Sequence, residues 1–309
     1  MRGAFVRTLT DLAAGDERIL LLTGDLGFMA LEPFQERFPQ RFFNIGVAEQ
    51  NMIGVATSLA DAGFIPFAYS IATFAPLRPY EFIRNGPVWH GLPVRIVGIG
   101  GGFEYGTQGL SHHALEDLAI MRTQPGIRVI APADHRQTEA AVRQSWNAPG
   151  PVYYRLGKDD RTVVPGLDGR YSPDGIEVVR EGGDVALIAA GSVAVEAAAA
   201  ADLLAARGVE ASVAIVATLQ PAPSDALAAF CRRVPIVVSV EAHYVTGGLG
   251  SLVAEVIAEH RIDCRLVRCG VRGVADGRSG SQQYMHARHG LDRTALAKAA
   301  LDALGRAST

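Results

Sequence analysis

Three polar residues, Glu49, Gln50 and Asn51, stand at the entry of a stretch that otherwise reads as a buried helix, with Met52, Ile53, Val55 and Ala56 close behind. Just before them, Phe42, Phe43 and Ile45 read as a buried strand that turns at Gly46. An acid at a helix entry complements the helix dipole, a gain of about 0.3–1 kcal/mol that calls for no further role. A carboxyl group partly stripped of water beside an apolar helix has a second use, because it can share a proton with a ring nitrogen. Both uses fit Glu49. A histidine pair, His112 and His113, follows the glycine-rich run "GGGFEYGTQGL". Imidazole titrates near neutrality, so such a pair either caps a solvated loop or handles protons.

The elements that must position these residues alternate between strand and helix. An amphipathic helix over residues 4–14 leads to the strand "RILLLTGD", which ends at Asp25. The helix from Glu49 runs to Ala62, "FIPFAYS" is a strand, and "RPYEFIRNGPVWH" is a helix. The apolar strand "PVRIVGIG" empties into the glycine-rich loop, the helix "ALEDLAIMRTQ" follows, and "IRVIAPA" and "PVYYRLG" are further strands. Residues 158–182, rich in charge, Pro and Gly, suit a surface linker. A second alternation then runs through "DVALIAAGS", an Ala-rich helix, "VEASVAIVATLQP", "PIVVSVEAH", a helix after "GGLGS" and "DCRLVRCGV". Strands apolar on both faces, alternating with helices, predict an α/β protein of two domains, each a mostly parallel sheet covered by helices. The domains are expected at 1–157 and 183–309. Ligands gather at the carboxyl edge of such sheets, and residues 24–27, 46–51, 100–113 and 154–157 fall there.

Composition narrows the function. The chain has 309 residues, 49% hydrophobic and 20% charged, which suits a globular protein rather than a disordered one. A formal net charge of −3 gives no general attraction to nucleic acid or an anionic membrane. Three widely spaced cysteines, Cys231, Cys264 and Cys269, form no metal pattern and read as reduced structural thiols. The first 25 residues carry no uninterrupted apolar segment, so neither a signal peptide nor a membrane span is expected, and the protein is expected in the cytoplasm.

Longer stretches carry a resemblance. "FFNIGVAEQNMIGVATSLADAGFIPF", "YSIATFAPLRPYEFIRN", "SHHALEDLAIMR" and "VIAPAD" resemble the pyrimidine-binding domain and following segment of transketolases, and "VSVEAHYVTGGLGS" resembles their C-terminal domain. The resemblance runs nearly end to end, to the C-terminal half of a transketolase standing as a separate polypeptide. It implies transfer of a two-carbon ketol unit from a ketose to an aldose, with thiamine diphosphate as electron sink. It further implies that Glu49 hydrogen-bonds the aminopyrimidine ring nitrogen and that Phe74 and Tyr80 wall that ring, Phe74 by stacking. His112 would contact substrate hydroxyls, with His113 and Gln108 beside it in the substrate channel. Asp25 would hold the cofactor or a substrate hydroxyl, or simply shape its turn. Arg155 would meet a substrate phosphate with its planar fork, or else form an ion pair. Arg2 lies where the family often has a phosphate-binding arginine.

The same resemblance implies what this chain does not supply. Gly24-Asp25-Leu26 imitates a Gly-Asp-Gly metal motif, but Leu26 replaces its second glycine and Asn51 shares a helix with Glu49. No metal site is therefore expected here. The diphosphate and its Mg2+ or similar divalent cation are expected on a separate N-terminal subunit, in an α2β2 assembly. Gly100, Gln108 and Met29 stand where many full-length relatives have a histidine, an acid and a serine, which leaves room for an unusual or unphosphorylated sugar. Three other readings remain open at this point: the β subunit of a 2-oxoacid dehydrogenase, half of a 1-deoxyxylulose-phosphate synthase, and a non-catalytic partner subunit.

Overall fold

The computed structural model describes residues 1–273 and 277–306. The expected second domain reaches residue 309, and its residues 274–276 and 307–309 lie outside the described residues. In chain order the strands of the first half are β1 (Ile19–Thr23), β2 (Phe42–Asn44), β3 (Ile65–Ile71), β4 (Arg95–Ile99), β5 (Arg128–Ile130) and β6 (Val152–Leu156). The second half adds β7 (Glu177–Arg180), β8 (Val185–Ala190), β9 (Ala211–Ile215), β10 (Thr218–Gln220), β11 (Ile236–Tyr244) and β12 (Arg265–Val271). Runs such as "ILLLT" and "RIVGI" are buried at every position, as strands covered by helices on both faces must be.

Two α/β sheets result, each mostly parallel. A seven-stranded sheet has the order β10-β5-β6-β4-β3-β1-β2, and a five-stranded sheet the order β12-β11-β8-β9-β7. Each carries one antiparallel edge strand, β10 against β5 and β7 against β9. Both edges depart from expectation. The run "VEASVAIVATLQP" is not one strand of the second sheet: after Ile215 the chain crosses over, and Thr218 pairs with Ile130 of the first. Val216 still donates to Ala189, whereas Ala217 accepts from Ala131, so the switch takes two residues. The expected surface linker also has internal structure, because it contributes β7 and buries Val164 and Leu167 in the second core.

The two units share a core. One apolar cluster joins Leu20, Met52, Ile53 and Ile96 from the first to Ile188, Leu227, Leu249 and Val253 from the second. Burial in the helix Glu49–Asp61 falls on Glu49, Met52, Ile53, Ala56 and Ala60, the spacing of one helical stripe. Glu49 therefore lies on the face turned to the core. The helix expected over 78–90 is regular only at Tyr80–Ile83 and then widens into a π-turn at Arg84–Val88. Pro87 sits in that turn and has no N–H to give a regular ladder. The helix expected over 114–124 shortens to Asp117–Arg122, because Ala114 is bridged to Gly102 and the Leu115 amide donates to the Glu116 carboxylate.

Candidate active site

Glu49 has 1% of its side chain exposed, yet it lies at the carboxyl edge of the first sheet. Its Oε1 accepts a hydrogen bond of 2.9 Å from the Ser70 hydroxyl near the end of β3. Its Oε2 accepts one of 2.7 Å from Nη1 of Arg78, a side chain 38% exposed. The approach to the helix is shaped by the turn: Asp25 accepts from Asn44 Nδ2 at 2.8 Å, and Asn44 Oδ1 accepts from the Gly46 amide at 3.0 Å. Gly46 takes φ +79°, which favours glycine. The helix has no side-chain N-cap, so the Glu49 carboxylate serves Ser70 and Arg78 instead of the backbone.

An aromatic and cationic group adjoins it. The Arg78 guanidinium lies 4.1 Å from the centroid of the Phe74 ring, and the His112 ring meets Phe74 edge-on at 5.2 Å. Tyr105 lies 6.1 Å from His112, and the Lys158 ammonium sits 4.3 Å from the Tyr105 ring centre. His112 is held below the usual imidazole range by burial first, then by His113 and Arg78, so it is neutral near pH 7. Its Nδ1 is 3.0 Å from the Ser111 hydroxyl, which leaves Nε2 for another partner. Gly100 is required here by space, since a Cβ would fall 2.2 Å from the Tyr105 ring.

Several expected residues are placed differently. Arg155 does not face a channel. Its side chain is 5% exposed, its Nε donates to Asp117 at 2.9 Å, and its Nη2 donates to the carbonyls of Ala114 and Ala242 at 2.8 and 2.9 Å. It is a buried ion pair that ties β6 to β11, and its assignment to a substrate phosphate is corrected accordingly. His113 also turns inward: its Nε2 contacts the Gly106 carbonyl at 3.1 Å and its ring stands edge-on to Phe103. Tyr80 packs against the shared core, with its hydroxyl within hydrogen-bond reach of Ile120, Thr123 and Gln124. Asp25 is engaged in the turn, and Gln108 is exposed on a short 3-10 turn where it accepts from Thr107. Met29 is 94% exposed.

The sequence reading missed Ser70, Arg78, Tyr105 and Lys158. Arg78 carried a signal in "APLRP", one helical turn beyond Phe74. The others are brought in by register and loop folding alone. Beyond Lys158 opens a cleft of about 790 Å3 lined by Arg2, Arg7, Met29, Lys158 and Arg161 on the same side as Glu104, Asp159 and Asp160. Unlike Arg155, Arg2 and Lys158 line an open cleft. Among the described residues, no group of three or more His, Cys, Asp or Glu comes together to hold a metal. The donor set does fit an aminopyrimidine: a buried carboxyl with one oxygen fixed by Ser70 and the other directed at a planar nitrogen cation, beside a half-buried phenyl ring.

Comparison with known proteins identifies the family of both halves of the chain. The family of transketolase pyrimidine-binding domains matches residues 1–162, and the family of transketolase C-terminal domains matches residues 174–296. A Methanocaldococcus jannaschii protein named as a transketolase C-terminal section is 37% identical over 301 residues, covering 96% of this chain and 94% of that one. One of the chains of an apulose-4-phosphate transketolase from Actinobacillus succinogenes is 33% identical, covering 96% and 95%. A solved structure described as a split gene transketolase, inactive β4 tetramer, superposes with a TM-score of 0.88 at 38% identity, covering 98% and 97%. Across both of its sheets, this chain belongs to the transketolase family.

Proposed function

We propose that the chain is the C-terminal subunit of a split, cytoplasmic transketolase that moves a two-carbon ketol unit from a ketose to an aldose with thiamine diphosphate, and that it works only with a separate N-terminal subunit. The observation that carries this reading is the buried Glu49 carboxyl at the sheet edge, held by Ser70 and adjoining Phe74. Bound thiamine diphosphate supplies the nucleophilic carbon and electron sink for breaking and remaking a carbon–carbon bond. Glu49 would hold the aminopyrimidine ring nitrogen and exchange a proton with it, while Phe74 covers the ring face. Neutral His112 would accept or give a proton at a substrate hydroxyl through its free Nε2. Lys158 and Arg2 would bind an anionic end of the substrate.

Mg2+ and the diphosphate belong to the partner in this reading, in an α2β2 assembly. Phe28, Met29, Val47 and Leu110 stand exposed on the loops after β1, β2 and β4, an apolar rim around the site that a partner would cover. The Actinobacillus relative acts, by its name, on apulose 4-phosphate. Gly100, which the Tyr105 ring forbids to be larger, supports a comparable departure from the common pentose phosphates here. The test is reconstitution with a cognate N-terminal subunit, Mg2+ and thiamine diphosphate, followed by a ketose and aldose screen. Ketol transfer by the mixture and not by either chain supports the reading. Tight Mg2+–thiamine diphosphate binding by this chain alone, or oxidation of 2-oxoacids with an artificial acceptor in place of ketol transfer, contradicts it.

A further inference from the structure

Arg78 makes the two contacts that the cofactor's pyrimidine would need. Its Nη1 donates to Glu49 Oε2 at 2.7 Å, and its guanidinium carbon lies 4.1 Å from the centre of the Phe74 ring. A guanidinium and an aminopyrimidine are alike in two features that matter: both are flat and stack on aromatic rings, and both share a hydrogen with Glu49, the guanidinium by donating to the carboxylate and the ring nitrogen through the proton exchanged between it and the carboxyl group. Glu49 Oε1 is already occupied by the Ser70 hydroxyl, so Oε2 is the oxygen left for a ligand. With Glu49 almost wholly buried and Arg78 partly in solvent, the arginine closes the carboxylate off from the outside.

We infer that Arg78 is a built-in competitor for the pyrimidine site, pairing with Glu49 and covering Phe74 until the cofactor's ring displaces it. This rests on the reading of Glu49 and Phe74 as the pyrimidine's cradle. The tether suits displacement. Among the described residues, Glu49 is the sole hydrogen-bond partner of the Arg78 guanidinium, and the backbone amide of Arg78 is held separately by the Phe74 carbonyl. The side chain can therefore leave by rotation about its own bonds, without moving the turn that carries it. The pair meets two needs of an acid that must stay buried. It keeps the charge compensated before loading, since an unpaired buried carboxylate is costly. It also makes occupancy depend on a ligand able to replace both contacts together, which disfavours ligands that offer only one. Apparent affinity falls in proportion to the fraction of molecules in which the site is closed.

The experiment uses the full chain and thiamine as probe, because thiamine carries the pyrimidine but needs no diphosphate site from a partner. Thiamine dissociation constants are measured by NMR titration for the wild type, Arg78→Ala, Glu49→Gln and the double variant. Arg78→Ala should bind about tenfold more tightly, corresponding to a site about nine-tenths closed in the wild type. Glu49→Gln should bind more weakly, and Arg78→Ala should bring no gain in that background. Arg78→Lys, which keeps the charge but loses the planar fork, should fall between wild type and Arg78→Ala, and it serves if the alanine variant does not fold. In the wild-type chain, rotation of the Arg78 guanidinium seen by NMR should speed up as thiamine is added. Unchanged or weaker binding in both Arg78 variants, with Glu49→Gln still harmful, overturns the competitor and leaves the pyrimidine site standing. Thiamine binding indifferent to Glu49 and Arg78 alike removes both.

Discussion

The chain holds two carboxylate–arginine pairs near the same sheet edge, and their surroundings make them different devices. Asp117 and Arg155 have side-chain exposures of 0% and 5%, and the guanidinium also holds the carbonyls of Ala114 and Ala242 while Tyr153 donates to the same Asp117 oxygen. Burial opposes the charge on Arg155, but Asp117, Tyr153 and Glu104 around it together raise its pKa above the usual value. Glu49 is just as buried, yet its arginine is 38% exposed and held by one hydrogen bond. The first pair joins the seven-stranded sheet to β11 and is closed off from solvent, even though Asp117 Oδ1 takes no hydrogen bond among the described residues. The second has a buried half fixed by Ser70 and a half-exposed partner held by a single hydrogen bond. Ion-pair chemistry alone does not separate structure from function; the number of contacts on the arginine does.

The contrast breaks most readily at the locked pair. Arg155→Met removes one partner of a buried ion pair and should cost about 3–5 kcal/mol of unfolding free energy. Denaturant titration would show it as a lower midpoint. Selective loss of affinity for phosphorylated substrates, with stability unchanged, would return Arg155 to the substrate channel. Lys158→Ala should do the reverse. Loss of one charged contact of about 1.5–3 kcal/mol raises KM for a phosphorylated acceptor by about tenfold or more, with kcat and stability nearly unchanged. Equal KM values with and without Lys158 would place the anion elsewhere in the cleft.

These assignments also show what was readable in advance. Glu49 drew notice as an acid opening an apolar helix, but its position alone fitted a dipole-complementing residue equally well, and its proposed cofactor role came from the resemblance to transketolases. Arg155 was misread because its strand end is plain in "PVYYRLG" but its neighbours are not. β6 lies inside the sheet between β5 and β4, and Arg155 stands opposite Gly98, a register that no local pattern encodes. The crossing of β10 was hidden for the same reason, since residues 209–221 look like one apolar run until long-range pairing divides it. Arg78 stands in the plain motif "APLRP", yet its role was not legible there, because its partner is 29 residues away in sequence.

A smaller effect separates the half-exposed Glu49–Arg78 site from the packed second domain. His286 is buried, its Nε2 has no hydrogen-bond partner among the described residues, and burial pushes its pKa down to about 4. The folded chain therefore binds fewer protons there than the unfolded chain, in which imidazole titrates near 6.5. Its contribution to stability is complete above about pH 6.5 and is lost as pH falls toward 4. Thermal midpoints should decline by a few degrees over that window, and His286→Asn should flatten the decline. A profile identical in the variant would assign the acid sensitivity to other groups.

The most direct test of the account is hydrogen–deuterium exchange at the thiazolium C2 of thiamine diphosphate in the reconstituted complex, comparing wild type with Glu49→Gln. Glutamine keeps the shape and the Ser70 contact but cannot exchange a proton with the pyrimidine nitrogen. Loss of a general acid–base group typically costs about 10²–10⁴-fold, and exchange and kcat should fall together within or beyond that range, while cofactor affinity changes less. Near-normal exchange and turnover in a folded Glu49→Gln complex would reduce Glu49 to a dipole-complementing residue and contradict the assignment of catalysis to this site.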